Sequence, residues 1–259
     1  MGDTQTNTMK ILIHLFALFL TASLNSCIST GSSGPTAGVK PPVINPTKTF
    51  YLTGQPYWKT IIDAKKFFGS SNAVSFTGNT IDLKGSRISG KKLKHPSNSQ
   101  DEQAQELKIG FDNLHLTNGS VDDIPGGIVL RGNKARISKL IFTTGGEDYV
   151  STAKDTVSGT VIDGCKFYNG KGDKSIQLNA AKYAKITNCY ITGGQTGIRL
   201  QESTSKTKGI KCEVSNTVFD QVPTAINVSG YTTLTVSGNT FKGVSEQYIG
   251  GPHTKIVKK

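Results

Sequence analysis

Residues 161–200, VIDGCKFYNGKGDKSIQLNAAKYAKITNCYITGGQTGIRL, state one phrase twice. Ile162-x-x-Cys165-x-Phe167 returns as Ile186-x-x-Cys189-x-Ile191, and Ile176-x-Leu178 returns as Ile198-x-Leu200. Working outward, the first pattern begins at Phe111, Ile137, Ile162, Ile186, Val214 and Val236, at spacings of 26, 25, 24, 28 and 22 residues. Three positions after each start stand Leu114, Leu140, Cys165, Cys189, Thr217 and Asn239, and five after stand Leu116, Phe142, Phe167, Ile191, Phe219 and Phe241. The second pattern runs through Ile128, Val150, Ile176, Ile198, Ile226 and Ile249. A period of this length is that of one coil of a solenoid. Apolar residues two apart share a face of a strand, so each coil sends at least two strands to a common interior. Gly and Asn mark the corners, and no coil can bury its apolar side without a neighbour. The expected fold is therefore all-β, a parallel β-helix of six coils over residues 49–259, right-handed as parallel β connections generally are.

The ends of the chain read differently. Residues 1–27 hold an apolar run, Ile11 to Ala22, after Lys10, and close on Leu24-Asn-Ser-Cys27. The run is short for a membrane span and reads as a secretory signal peptide. Its end resembles the lipobox of bacterial lipoproteins, which implies a lipid anchor at Cys27. The expected location is thus outside the cytoplasm, as an outer-membrane or cell-surface lipoprotein or an extracellular protein. Residues 28–48 are rich in Pro, Ser, Thr and Gly and read as an extended tether. Residues 57–68, YWKTIIDAKKFF, have helical apolar spacing and predict a short helix that caps the open N-terminal end of the solenoid, where bare strand edges invite aggregation.

The formal net charge is +12. A basic surface on an exported protein suits a polyanion. The chain has no nucleic-acid recognition motif and no interleaving of aromatic and basic residues of the kind single-strand binders use, so nucleic acid is not expected. An acidic polysaccharide fits better, and the chain is expected to act as a monomer. Cys165 and Cys189 fall in the same slot of successive coils, about 4.8 Å apart. That separation permits a disulfide, although side-by-side inward thiols that fill the core as small apolar groups are the preferred reading. The spacing matches no zinc motif.

Chemistry-bearing residues gather where three coils approach the second ladder. Aligning Val150, Ile176 and Ile198 stacks Glu147 on Asp173 and Gln195, stacks Asp148 on Lys174 and Thr196, and sets Ser151, Gln177 and Arg199 in an outward row. Strict alternation would turn Lys174 into the core, where an unpaired ammonium is too costly, so the corner has to turn it out. Neighbouring carboxylates on adjacent coils suit Ca2+, and a lysine beside a cation suits proton abstraction.

The segment from Gly127 to Gln201 resembles the family 3 polysaccharide lyases, compact pectate lyases with a parallel β-helix and calcium. The resemblance rests on Gly127-Ile-Val-Leu-Arg-Gly132, Ile141-Phe-Thr-Thr-Gly-Gly-Glu-Asp-Tyr149, Gly172-Asp-Lys-Ser-Ile-Gln-Leu-Asn179, Ile186-Thr-Asn-Cys-Tyr-Ile191 and the Arg199 turn. It implies calcium at Glu147, Asp148 and Asp173, a catalytic base at Lys174 and an active-site arginine at Arg199. Lys171 and Gln177 then become substrate-binding candidates. The chain departs from the family in lacking an acidic residue before Glu147 and in carrying Thr196 where the family has a second lysine. The expected activity is calcium-assisted β-elimination on a uronic acid polymer. The alternative is a non-catalytic carbohydrate-binding or adhesion solenoid. A hydrolase of the polygalacturonase type is disfavoured, because no second carboxylate pair serves as acid and base.

Overall fold

The structure is a computed structural model and describes residues 38–53, 64–93, 106–152, 157–170, 172–201 and 210–259. The described residues wind as a right-handed β-solenoid of about six turns and among them there is almost no helix. Each regular coil contributes three strands, for example Val161–Asp163, Lys166–Asn169 and Lys174–Asn179. Strands of the regular coils pair in parallel with their counterparts one coil away, and only Ser75–Thr77 among the described strands pairs antiparallel, with Thr80–Asp82; together they form one 15-stranded and one 7-stranded sheet.

The interior repeats the sequence ladders. Ile137, Ile162, Ile186, Val214 and Val236 are successive register partners, and so are Phe142, Phe167, Ile191, Phe219 and Phe241. Phe142 stacks on Phe167 with centroids 4.8 Å apart and planes 8° off parallel, and Phe219 stacks on Phe241 at 5.4 Å and 7°. One coil spacing is also the offset-stacking distance of aromatic rings, so the pitch of the sheet sets up these contacts. Cys165, Cys189 and Cys212 are free and buried. Burial pushes their thiols well up, to about 12 for Cys189 and Cys212. They are inert packing groups, and a thiol reagent at pH 8 is expected to label none of the three until the fold is opened by denaturant.

The ladders differ from the expected register in the first and the last coil. Ile137 pairs with Leu116, not Phe111, and Phe142 pairs with Val121. Phe111 is 37% exposed. The equal spacing of Phe111-x-x-Leu114-x-Leu116 misled because the long strand His115–Ile124 carries its own matching set, Leu116 and Val121, five residues on. At the other end Ile226 pairs with Tyr248, while Ile249 lies opposite outward Asn227 and is 39% exposed. A shift of one residue exchanges the two faces of a strand.

At the N-terminal end a helix covers Ala64–Phe68; the remainder of the expected capping helix, Tyr57–Asp63, lies outside the described residues. Its Phe68 ring meets Phe50 edge-on at 5.0 Å and Phe67 at 4.8 Å. The expected signal peptide, Cys27 and residues 28–37 of the expected tether also lie outside the described residues. The last part of the tether is laid along the coil wall. Val39 N donates to Thr192 Oγ1 at 2.9 Å, Arg87 donates to the Ile44 carbonyl at 2.9 Å, and Thr47 N donates to the Gly85 carbonyl at 3.2 Å. Proline-rich composition forbids a core, but it does not forbid an extended strap that satisfies its polar groups on a neighbouring surface.

Candidate functional site

The corner between the second and third strands of each coil is built on one repeated backbone bond. The carbonyl of Glu147 accepts from the N–H groups of both Asp173 and Lys174, at 3.1 and 3.0 Å. The carbonyl of Asp173 accepts likewise from Gln195 and Thr196, at 3.2 and 2.9 Å. Glu147, Asp173 and Gln195 therefore form a column. Asp148, Lys174 and Thr196 form the next one, in direct register. Close approach at this corner demands glycine: a Cβ on Gly146 would stand 2.2 Å from the Pro125 carbonyl oxygen, and one on Gly172 would stand 2.5 Å from that of Gly146. Gly172→Ala is expected to disturb the corner and lower stability, read as an earlier urea midpoint.

Strict alternation fails at this corner, with a chemical consequence. Tyr149, Ser175, Gly197 and Ala225 add an extra inward column: Tyr149 packs against Phe142 and Phe167 at 6.0 and 6.4 Å, and Ser175 and Ala225 are fully buried. The following Val150 and Ile176 are buried too. Two consecutive inward residues turn the preceding one away from the core, so Lys174 leaves it. It does not enter solvent, because its side chain is only 3% exposed. Its Nζ lies 3.8 Å from Glu147 Oε1 and 3.4 Å from Asp148 Oδ1, and it donates to Asp173 Oδ2. Burial raises the Asp148 carboxyl to about 6, and the positive charge of Lys174 offsets part of that rise. The floor is held by residues the sequence did not flag. Asn169, 1% exposed, accepts from Gly172 N through Oδ1 at 2.6 Å, and the Tyr149 hydroxyl donates to the Tyr168 carbonyl at 2.8 Å. Glu106 joins from an earlier coil, ion-paired to Lys108 at 3.4 Å and close enough to Glu147 to feel its charge.

Three carboxylates converge on one point, which is the chemistry calcium asks for. The point is filled by the ammonium of Lys174, and among the described residues no group of three or more His, Cys, Asp and Glu is arranged to hold a metal ion. As they stand, Glu147, Asp148 and Asp173 do not fit calcium, because a cation there has to displace Lys174.

Gln177 and Arg199 fall in one outward row with Ser151 and Asn227, as the alignment implies. Arg199 is half-buried and among the described residues has no carboxylate partner. It lies three positions along the strand from Thr196, the register partner of Lys174, or about 10 Å. The structure thus brings Glu147, Asp148, Asp173 and Lys174 together and sets Arg199 with Gln177 apart from them. Lys171 lies outside the described residues.

Raised carboxylates carry a pH signature. Asp148 binds its proton more tightly folded than unfolded, so its contribution to stability grows as pH falls from about 6 toward the ordinary carboxylate value and is absent above that window. Burial raises Glu106 and Asp122 in the same direction. Urea midpoints measured from pH 8 to pH 4.5 should rise on acidification, and Asp148→Asn should flatten that slope.

Comparison with known proteins returns one finding. A family model described as a right-handed beta helix region matches residues 109–249. No curated protein and no solved structure matches the chain. The matched fold is consistent with a carbohydrate-active or carbohydrate-binding protein, and it specifies no reaction. Stacked parallel coils, in-register apolar columns and a match across more than half its length together say that the chain belongs to the right-handed β-helix family.

Proposed function

We propose that this protein is an exported β-helix, anchored by lipid at Cys27, that binds an acidic uronate-type polysaccharide as a monomer along its outward polar row, without cleaving it. The observation that carries this reading is the state of Lys174: an ammonium 3% exposed and shared among three carboxylates cannot reach a polymer's C5 proton while the cluster stays closed. Arg199, with no carboxylate partner among the described residues, offers a bidentate donor to a uronate carboxylate. Gln177 and Asn227, its neighbours in the row, offer amides to sugar hydroxyls. The net charge of +12 supplies the long-range attraction.

A second reading has its own support. Glu147, Asp148, Asp173 and Lys174, the residues a pectate lyase would use, lie within one cluster. In that reading Lys174 leaves the cluster, gives up its own proton to become a neutral amine and takes the C5 proton; the electron pair forms the C4–C5 double bond as the glycosidic oxygen departs and is protonated by water. With Lys174 withdrawn, Glu147, Asp148 and Asp173 would be the groups left to hold a calcium ion, whose charge would neutralise a substrate carboxylate.

One assay separates the two. The purified protein is incubated with polygalacturonate and calcium while ultraviolet absorbance of unsaturated products is followed and retention on the polymer is measured. Retention without growing absorbance, weakened by Arg199→Ala, is the expected result. Absorbance that grows and is lost with chelator or with Lys174→Ala establishes the lyase instead.

A further inference from the structure

A different corner, where the third strand of one coil passes to the first strand of the next, exposes aromatic rings. Tyr183 is 62% exposed and Tyr231 is 49% exposed. Tyr231 stacks on His253 with centroids 4.5 Å apart and planes 14° off parallel, and Lys211 Nζ lies 5.6 Å from the Tyr183 ring centroid. Register aligns this corner into a column: Ala184 pairs with Cys212, Lys211 with Thr233 and Thr233 with Lys255, so Tyr183, Lys211, Thr233 and Lys255 rise one coil at a time. At about 4.8 Å per coil the column is about 14 Å long.

Two of these residues are held at a cost. Tyr183 has φ 56° and His253 has φ 67°, the left-handed region that bulky residues rarely adopt. Neither recovers that strain by filling the core, since both are exposed. Positive φ recurs at other corners, as at Asn113, Lys134 and Gln221, so what sets this corner apart is its exposed rings and its lysines. The charges agree on the partner. Glu213, the nearby acid, is paired to Lys185 at 3.4 Å, whereas Lys211 and Lys255 have no acidic partner among the described residues.

We propose that this ledge is a second docking surface, on which an acidic polysaccharide lies along the coil-stacking direction, its carboxylates at Lys211 and Lys255 and its sugar rings against Tyr183 and the Tyr231–His253 pair. The proposal rests on the acidic-polysaccharide reading above and extends that contact to another corner. A single-stranded nucleic acid is the competing occupant. Lysines and exposed rings would also accept its phosphates and bases, so its binding is measured beside that of the polysaccharide.

Affinity for polygalacturonate, and separately for an oligo-dT strand, is measured in low and in physiological salt for four proteins: wild type, Tyr183→Asn, Lys211→Glu with Lys255→Glu, and Arg199→Ala. Asn tolerates the left-handed region, so Tyr183→Asn is expected to keep or raise the melting temperature while weakening polygalacturonate binding several-fold. The double charge reversal is expected to weaken it at least tenfold and to flatten its salt dependence. If these losses appear while Arg199→Ala binds normally, the ledge stands and the polar row does not. If only Arg199→Ala loses affinity, the ledge is overturned and the row stands. Binding of oligo-dT in preference to polygalacturonate, or no binding of polygalacturonate by the wild type, overturns the proposal, as does a Tyr183→Asn protein that melts earlier.

Discussion

Lys174→Met is expected to lower the stability of the protein by about 3–5 kcal/mol at neutral pH, the usual cost of removing one partner from a buried ion cluster. The side chain is 3% exposed and neutralises Glu147, Asp148 and Asp173 at once. Without it, three carboxylates face one another around an apolar thioether. The loss should be relieved in two ways that an ordinary cavity mutant would not share. Acidification protonates Asp148, whose carboxyl is already raised by burial and rises further once the charge of Lys174 is gone, and removes part of the repulsion. Millimolar calcium supplies the missing charge to three oxygen donors that are then unpaired. Urea midpoints with and without calcium check both, and the wild type should respond little to calcium because its own ammonium occupies the position. A wild-type midpoint that rises steeply with calcium would mean that Lys174 is readily displaced and would favour the lyase reading.

Phe167→Ala is the second large effect, expected to cost about 3–5 kcal/mol. Phe167 is fully buried, stacks on Phe142 at 4.8 Å and sits 6.4 Å from the Tyr149 ring, whose hydroxyl braces the Tyr168 carbonyl beside the site corner. Neighbouring coils are hydrogen-bonded along their strands and cannot close over the lost ring, so the cavity term stays with the transfer term. Ile249→Ser is the matched control. The sequence ladder counts Ile249 as interior, but it is 39% exposed and aligned with Asn227, so its substitution should move the midpoint by less than about 0.5 kcal/mol. Equal losses at the two positions would contradict the register between Glu246–Gly250 and the strand before it.

The middle coils were legible because their signal is redundant. From Ile137 to Phe241 the same slots recur, each occurrence constrains the others, and the stacking of Glu147 on Asp173 and of Asp148 on Lys174 follows from apolar alignment alone. The ends were not legible, because a terminal coil has a neighbour on one side and its pattern is checked only once. The first coil's set, Phe111, Leu114 and Leu116, and the last member of the second ladder, Ile249, are the ones that slip. The strap was hidden for another reason: Val39 and Ile44 bond through backbone groups, to Thr192 and Arg87 respectively, and a backbone donor or acceptor leaves no mark in composition.

From its residues alone the chain determined a parallel coil, its period, its inward columns and the company its charged groups keep, since all of these are matters of repetition and of which side of a strand is apolar. Tertiary structure alone decided what that company amounts to. A bend that points both Ser175 and Ile176 inward takes Lys174 out of the core and into a closed ring of carboxylates, while Arg199 stays apart on the open row. The physical reason is that spacing along a strand fixes which residues are neighbours, whereas the direction of a side chain at a corner depends on backbone dihedrals set by the coils above and below it.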